Sequence, residues 1–291
     1  MDNDQPWEHV DVPFSSTLHD VVRYENRVYT VGDSGTLLER AAGTWSTLLD
    51  SGPTGNSNVL KSVATTAGGK RVWFAGSSGS LGYFDVEAGD VVDFSAPEGQ
   101  SDQWNDVLVD GEAGSEVVRV ADNNGEVVTL RLAGSELEST NLVKPRSAGQ
   151  SIGGLAVGDG QLYAVNTSGK LFASSDGQTW SATDLVDTDL VDVAVSGGTV
   201  YALTASGFGY THDPASGETQ KFDTGISATH TVTAGHSVVV AGTNGTIADL
   251  VDGTWERVET PASTDLYGVA LGKSDLAVGS SGTAIERTRP Q

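Results

Sequence analysis

VGDSG (31–35) is the first of seven related stretches, in each of which an apolar residue is followed by a polar turn and a final glycine. The others are AGSSG (75–79), ADNNG (121–125), VNTSG (165–169), LTASG (203–207), AGTNG (241–245) and VGSSG (278–282). The successive final glycines are 44, 46, 44, 38, 38 and 37 residues apart. A repeat of about 40 residues with strand character is typical of a β-propeller with one blade per repeat. The sequence therefore predicts an all-β, seven-bladed propeller of four-stranded antiparallel blades.

Each repeat also has a pair of residues, spaced three apart and mostly apolar, upstream of its glycine. The pairs are Leu18/Val21, Leu60/Val63, Trp104/Val107, Ile152/Leu155, Leu190/Val193, Thr229/Val232 and Leu266/Val269. The interval between pair and glycine holds one strand, a turn and a second strand. We name the four strands of a blade a, b, c and d, from the channel outward. The repeated glycine supplies the positive φ of a two-residue hairpin turn between b and c, most plainly in Asn124-Gly125 and Asn244-Gly245.

The two ends of the chain are predicted to share the last blade. After Leu266 the sequence has room for three strands only, whereas the N-terminal PWEHVDVP (6–13) is similar to TWERVETP (254–261), the d strand of blade 6. Using the N-terminal segment as the missing outer strand closes the ring and removes free sheet edges. The predicted blades, in one domain of residues 1–291, are 18–52, 60–97, 103–145, 151–186, 189–226, 228–261 and 265–290 with 6–13.

Composition excludes several classes of function. The chain has 39 acidic and 16 basic residues, for a formal net charge of -23, and a field of this sign repels nucleic acids and anionic membranes. It has no cysteine, which excludes disulfides, thiolate catalysis and cysteine-bound metals. No apolar run has the length of a membrane span, so we expect no direct membrane insertion. Only six of the basic residues are lysines. Such surfaces resemble those of proteins from halophilic archaea, so we expect a soluble protein, either cytoplasmic in a high-salt cell or extracellular after loss of a signal peptide.

A tryptophan-containing turn carries a family resemblance. Thr-Trp opens strand d at Thr44, Thr179 and Thr254, and in blade 4 it follows a serine-aspartate turn, SSDGQTW (174–180). This stretch resembles the Asp-box of BNR-repeat propellers, the group that includes Ycf48-like and sialidase-like proteins, although it is one residue shorter. The resemblance implies a structural turn in which Ser174 and Asp176 cap backbone N–H groups, and tryptophans that act as wedges between blades. Blades 2, 3 and 5 have neither Thr-Trp nor the motif aspartate.

No catalytic constellation is recognisable, and we predict no cofactor. Sialidases need a cluster of arginines and a Tyr-Glu nucleophile pair, and the arginines here are scattered over strand ends and outer strands. Glycine-rich segments precede strands rather than the helix that a phosphate loop requires. Asp184, Asp187 and Asp189, with Asp192 nearby, could bind a hard cation or form a solvated acidic loop, and both interpretations stay open.

Propeller geometry locates the predicted binding face. The d-to-a crossovers and b-to-c turns emerge on one face, and the crossovers Leu49–Asn58, Ser95–Gln103 and Lys144–Ser151 are the longest connections. The residue after the first member of each apolar pair forms a ring at the channel mouth, and the next residue forms a second ring. The predicted partner-binding rim is His19, Asp20, Lys61, Asn105, Asp106, Asp192, His230 and Tyr267. If the ring closes, three of these residues lie side by side: His230, Tyr267 and His19. They form either a hydrated channel mouth or a site in which the two histidines titrate near neutrality or bind a metal ion with Asp20.

Three hypotheses of function follow. The first is a non-enzymatic interaction or scaffold module that presents the loop-rich face to a protein or a surface glycan. The second is a carbohydrate-active or other propeller enzyme with its site at the channel mouth. The third is a structural component of an extracellular or viral assembly, which the glycosylation triplets Asn166-Thr167-Ser168 and Asn244-Gly245-Thr246 weakly favour.

Overall fold

A computed structural model of the chain describes residues 6–133, 136–145 and 149–289. These residues form 28 strands in seven four-stranded antiparallel sheets, which confirms the predicted fold class. The strands are, for blade 1, β2 (Leu18–Tyr24), β3 (Arg27–Gly32), β4 (Thr36–Ala41), β5 (Thr44–Leu49); blade 2, β6 (Leu60–Thr65), β7 (Arg71–Gly76), β8 (Leu81–Asp85), β9 (Asp90–Asp93); blade 3, β10 (Trp104–Asp110), β11 (Val117–Asp122), β12 (Val127–Ala133), β13 (Glu136–Val143); blade 4, β14 (Ile152–Gly158), β15 (Gln161–Asn166), β16 (Lys170–Ser174), β17 (Ser181–Asp184); blade 5, β18 (Leu190–Ser196), β19 (Thr199–Thr204), β20 (Phe208–His212), β21 (Thr219–Asp223); blade 6, β22 (Thr229–Ala234), β23 (Val238–Gly242), β24 (Ile247–Val251), β25 (Thr254–Val258); and blade 7, β26 (Leu266–Ala270), β27 (Ser274–Gly279), β28 (Ala284–Thr288) and β1 (Glu8–His9).

The ring closes as predicted, through the N-terminal strand. β1 pairs antiparallel with β28, with Glu8 opposite Glu286 and His9 opposite Ile285. The paired part of the N-terminal segment is therefore much shorter than residues 6–13. Trp7 adds to this short pairing, since its buried ring lies 4.7 Å from the guanidinium carbon of Arg287. Of the ranges predicted above, residues 1–5, 134–135 of blade 3, 146–148 of one crossover, and 290–291 lie outside the described residues.

The core lies between the blades. Seven buried hydrophobic clusters each combine side chains of two neighbouring blades in the described part of the chain, one cluster for each interface of the ring. Trp73 and Trp104, for example, are fully buried between blades 2 and 3. Trp45 and Trp255 of strands d, and Trp180 directly before strand d of blade 4, pack at the edges of three such clusters. Burial of aliphatic and aromatic surface between sheets is thus the main stabilising force of the ring.

The b-to-c connections differ from the predicted two-residue turns. In blades 2, 3, 6 and 7 the residue that ends strand b donates its N–H to the carbonyl oxygen four residues later, at 2.9–3.1 Å, so three residues connect the strands. All seven repeated glycines have positive φ, between 65° and 85°. Their missing Cβ matters as much, because a Cβ there would lie 1.7–2.7 Å from backbone atoms of the chain just before the next strand a. Glycine is therefore required at this position of each repeat by a close backbone contact as well as by the turn.

The c-to-d turn of blade 4 has the capping geometry that the Asp-box resemblance implied. Asp176 Oδ1 accepts the N–H groups of Gln178 (2.8 Å) and Thr179 (2.7 Å), and Ser174 Oγ accepts the N–H of Gly177 (2.8 Å). These backbone hydrogen bonds lower the pKa of Asp176 to about 2. Blades 2 and 5, which lack the motif, cap the same turn with Asp85 and Asp213, each followed four residues later by glycine.

Candidate functional site

The first strand of every blade changes register at the residue predicted to face the channel mouth. The pairing of strand a with strand b shifts there, as at a β-bulge, at His19, Lys61, Asn105, Gly153, Val191, His230 and Tyr267. A bulge leaves one residue unpaired and bends the strand. Two consecutive residues of each strand can then face the channel, where regular alternation would allow only one.

The eight predicted rim residues all line one pocket at the channel mouth. The pocket has a volume of about 190 Å³ and is also lined by Ser62, Gly153, Val191 and Thr231. Every blade except blade 4 contributes at least one side chain to the pocket, and blade 4 contributes only Gly153. The structure thus brings together residues that are far apart in sequence, whereas their role in binding stays a prediction.

Three aspartates form the floor of the pocket, and each is bonded to the next blade. A carboxylate oxygen in blade 1, 3 or 5 accepts a backbone N–H from strand a of blade 2, 4 or 6. The contacts are Asp20 to Val63 (2.9 Å), Asp106 to Leu155 (2.7 Å) and Asp192 to Val232 (2.8 Å). Each aspartate also accepts the N–H of the residue that follows it, at 2.7–2.8 Å. These carboxylates therefore join neighbouring blades at the channel.

Hydroxyl groups connect the floor laterally. Ser62 Oγ lies 3.1 Å from Asp20 Oδ2 and 2.7 Å from Asp106 Oδ1, so it bridges the two carboxylates. Thr231 Oγ1 donates to Asp192 Oδ2 at 2.9 Å. Although the hydrogen bonds oppose it, desolvation raises the pKa of Asp20 and of Asp192 to about 7, and the nearby charge of Asp106 contributes to both shifts. Desolvation raises the pKa of Asp106 as well.

An aromatic row occupies one side of the rim. The Tyr267 ring lies between the two histidines, with its centroid 6.0 Å from that of His19 and 4.7 Å from that of His230. His19 Nε2 lies 2.8 Å from Asp33 Oδ1, and His230 Nε2 lies 3.7 Å from Asp265 Oδ2. Desolvation lowers the pKa of both histidines, so both rings are mainly neutral at pH 7.

The other side of the rim is polar. Asn105 Nδ2 donates to Ser151 Oγ and to Ile152 O, both at 2.9 Å, and thereby links blades 3 and 4. Lys61 is half-buried, and desolvation lowers the pKa of its ammonium group.

Two carboxylates beside the rim were not predicted. Asp33 lies in the first glycine motif and Asp265 directly precedes strand a of blade 7. Burial opposes ionisation of Asp33, but hydrogen bonds from His19 and from the Thr17 N–H more than offset it and lower the pKa of Asp33. The propeller arrangement itself could have indicated both residues, because the b-to-c turns and the crossovers share one face.

The described residues contain no group of three or more histidine, aspartate or glutamate side chains placed to hold a metal ion. In the acidic crossover, Asp184 forms an ion pair with Lys170, whereas Asp187 and Asp189 are exposed and Asp192 belongs to the channel floor. The four aspartates that are close in sequence are therefore divided between two environments. No helix of the described residues is long and apolar enough to cross a membrane.

Comparison with known proteins places the chain among β-propellers. The family model of the DUF6242 beta propeller domain matches residues 112–234, which is less than half of the chain. No curated protein matches the chain significantly.

Solved structures match over almost the whole chain. YCF48 bound to D1 peptide has a TM-score of 0.78 at 16% identity, and the match covers 100% of this chain and 97% of that one. YCF48 from Cyanidioschyzon merolae has a TM-score of 0.75 at 14% identity, covering 97% and 98%. The WD40 beta propeller domain of Doa1 has a TM-score of 0.80 at 12% identity, covering 99% and 98%. At such identities the likeness shows the fold alone.

Proposed function

We propose that this protein is a non-enzymatic interaction module that binds a protein segment over the channel mouth, with the eight-residue rim as the centre of contact. The observation that carries the proposal is a difference in hydrogen bonding between the three floor aspartates and the three aromatic residues of the rim. The floor carboxylates each accept two or more hydrogen bonds, including one from the next blade, whereas His19, His230 and Tyr267 form an aromatic row at the pocket surface. Aromatic side chains in such positions are favoured anchors for protein partners.

Two further observations support a protein rather than a small molecule. The pocket volume of about 190 Å³ is below the roughly 300–1,000 Å³ of ordinary small-molecule sites, so a ligand confined to it would bury little surface. YCF48, which has the same fold, was solved with a bound D1 peptide. A rigid ring surrounded by long crossovers is suited to the same kind of occupant here.

The rival function is an enzyme with its site at the same mouth. It is favoured by one observation, the raised pKa of Asp20 and Asp192 to about 7, because shifted carboxyl groups are typical of general acids. Against it, the same oxygens accept hydrogen bonds from backbone N–H groups of the next blade, which gives the desolvated carboxylates a structural role. If the protein is such an enzyme, it hydrolyses a glycoside, and Asp192→Asn abolishes this activity.

The proposal is tested by selecting peptides from a displayed random library on the immobilised protein. We expect enriched peptides whose affinity falls at least about tenfold for the triple variant His19→Ala, His230→Ala, Tyr267→Ala, since the loss of about 1.4 kcal/mol from one anchoring side chain already weakens binding tenfold. The matched control replaces three exposed side chains of the opposite face, Lys70→Ala, Glu87→Ala and Asp90→Ala. Failure to enrich peptides, or equal binding to both variants, would overturn the proposal.

A further inference from the structure

A second cavity lies on the opposite face of the propeller, where blades 7 and 1 meet. Its volume is about 300 Å³, and its walls come from a-to-b and c-to-d turns and the adjoining strand ends. Three cationic side chains line it: Arg23 and Arg40 of blade 1 and Lys273 of blade 7. Only two acidic side chains, Glu25 and Glu286, line the same cavity. In a chain with 39 acidic and 16 basic residues, this local excess of positive charge opposes the overall field.

Glu286 is already engaged within the cavity wall. Arg40 Nη1 lies 2.9 Å from Glu286 Oε1, and the Ser274 hydroxyl donates to the same oxygen at 2.7 Å. Asp275, the next residue along strand b, is fully buried and bonds Arg287 and Arg289 instead. The nearest carboxylates thus have cationic partners other than Arg23.

Arg23 lacks such a partner. No carboxylate of the described residues lies within 4.0 Å of its guanidinium nitrogens, and its one hydrogen bond is a long one, 3.5 Å from Nη2 to Ser274 Oγ. Among the other described arginines, Arg27, Arg40, Arg71, Arg287 and Arg289 have a carboxylate within 4.0 Å, whereas Arg119, Arg131 and Arg257, like Arg23, have none. Because Arg23 is half-buried, its charge is poorly solvated, and the carboxylates of Glu286 and Asp275 favour it only from beyond ion-pair distance.

The backbone of blade 7 holds the Arg23 side chain in place. A Cβ on Gly272 would lie 2.5 Å from Arg23 Cδ and 2.7 Å from Nε, so the a-to-b turn lies directly on the aliphatic stem. Desolvation by these neighbours lowers the pKa of Arg23. A side chain packed in this way loses little conformational entropy when its guanidinium group binds a ligand.

We propose that this cavity is a binding site for a small oxyanion, a carboxylate or phosphate group, held between the Arg23 guanidinium and the Lys273 ammonium. The guanidinium fork matches the two oxygens of such a group, and Lys273, which is exposed, supplies a movable point charge at the cavity mouth. Arg40 is neutralised by its ion pair with Glu286, so the positive charge available to the anion comes from Arg23 and Lys273. The site is distinct from the channel mouth, and this proposal does not depend on the interaction proposed there.

The test is calorimetric titration of the full-length protein with two probes, inorganic phosphate and glutarate, at an ionic strength of about 0.1 M, where the Debye length is about 10 Å. The variants are Arg23→Gln and Lys273→Gln. Lys70→Gln is the matched control, because Lys70 is an exposed lysine in the corresponding a-to-b turn of blade 2 and its side chain forms no hydrogen bond or ion pair with the described residues. Thermal unfolding of each variant verifies that it is folded.

We expect saturable binding of one equivalent of at least one probe. Lys273→Gln and Arg23→Gln each weaken it about tenfold, as loss of a charge-assisted hydrogen bond requires, while Lys70→Gln leaves it unchanged. The probe that binds identifies the oxyanion as phosphate or carboxylate. Absence of saturable binding of both probes would overturn the proposal. So would an equal loss in Lys70→Gln, which would mean that the anion responds only to net charge. Lys273→Gln keeps the test decisive if Arg23→Gln does not fold.

Discussion

The carboxylate of Asp192, in the first strand of blade 5, accepts a hydrogen bond from the backbone N–H of Val232, in the first strand of blade 6, with an Oδ2–N distance of 2.8 Å. Thr231 Oγ1 and the N–H of Val193 also donate to this carboxylate. The contact joins two blades at the channel, so the candidate site and the stability of the ring share one side chain. The same arrangement recurs at Asp20 and Asp106.

Asp192→Ala should destabilise the protein by about 1–3 kcal/mol, because it leaves the N–H groups of Val193 and Val232 without their acceptor in a partly desolvated channel. Urea unfolding measures the change in the free energy of unfolding. Asp189→Ala is the control, since Asp189 is exposed and lies in the crossover that leads into the same strand. Equal effects of the two substitutions would contradict a cross-blade role for Asp192.

The dependence of stability on pH should identify the floor carboxylates. The pKa of Asp192 is raised to about 7 in the folded state, above its unfolded value, so the folded protein takes up a proton as the pH falls from about 7 toward 4. Its contribution to stability therefore increases on acidification, by at most about 1.4 kcal/mol per pH unit. It is lost as the pH rises through the folded pKa.

His19 and His230 act in the opposite sense, because their lowered pKa values favour unfolding as the pH falls below about 6.5. The informative quantity is thus the difference in the free energy of unfolding between wild type and Asp192→Asn. We expect wild type to gain stability relative to the variant between pH 8 and pH 5, as measured by urea unfolding. A difference that does not change with pH would show that Asp192 titrates normally.

Gly207→Ala should lower the free energy of unfolding more than most other glycine-to-alanine substitutions in the chain. The new Cβ would lie 1.7 Å from Ile226 O, and the residue has φ of 82°. Gly253→Ala is a matched control with a φ of 80° and no atom within 4 Å of the added Cβ. We expect about 1–2 kcal/mol of destabilisation for the control and at least about 1 kcal/mol more for Gly207→Ala. Indistinguishable midpoints of urea unfolding would contradict the close approach.

The Arg287 ion-pair network should contribute strongly to ring closure. Arg287 Nη2 lies 2.7 Å from Asp249 Oδ1 of blade 6, Nε lies 3.0 Å from Asp275 Oδ2 of blade 7, and the Arg287 side chain is 3% exposed. Arg287→Met leaves the buried carboxylates of Asp249 and Asp275 with Arg289 as their remaining cationic partner, and it should cost at most about 3–5 kcal/mol. Arg27→Met, which removes an exposed pair with Glu39, should cost at most about 1 kcal/mol. Thermal unfolding compares them, and similar midpoints would refute the prediction.

Salt should stabilise the fold, because a net charge of -23 opposes the compact state by self-repulsion. Raising NaCl from about 0.1 M to 1 M shortens the Debye length from about 10 Å to 3 Å. We expect a higher midpoint of thermal unfolding across this range. Chloride is preferred to sulfate, since sulfate strengthens apolar burial irrespective of charge. A midpoint that does not rise would contradict the predicted adaptation to high salt.

Much of the candidate site could be predicted once the repeats were aligned. Residues at equivalent positions of a closed ring occupy equivalent places, so His19, His230 and Tyr267 converge although they are far apart in sequence. The partners Asp33 and Asp265 were missed because they lie on other elements, a b-to-c turn and a crossover, whose approach to the rim depends on how the blades pack. The Arg23 cavity was missed for the same reason, since blades 7 and 1 form it only after the ends of the chain have met.

The sequence by itself determined the number of blades, the sharing of blade 7 by the two ends of the chain, and the set of residues at the channel mouth. Each of these depends on period and local pattern, which a single chain encodes directly. Only the tertiary structure decided that the repeated glycines touch the chain leading into the next blade, that strand a bulges at the rim, and that Asp20, Asp106 and Asp192 bond neighbouring blades. The carboxylate contacts join segments 40 to 49 residues apart, and the glycine contacts join each b-to-c turn to the crossover that leads to the next blade. Both kinds of contact form only when burial between blades brings the segments together.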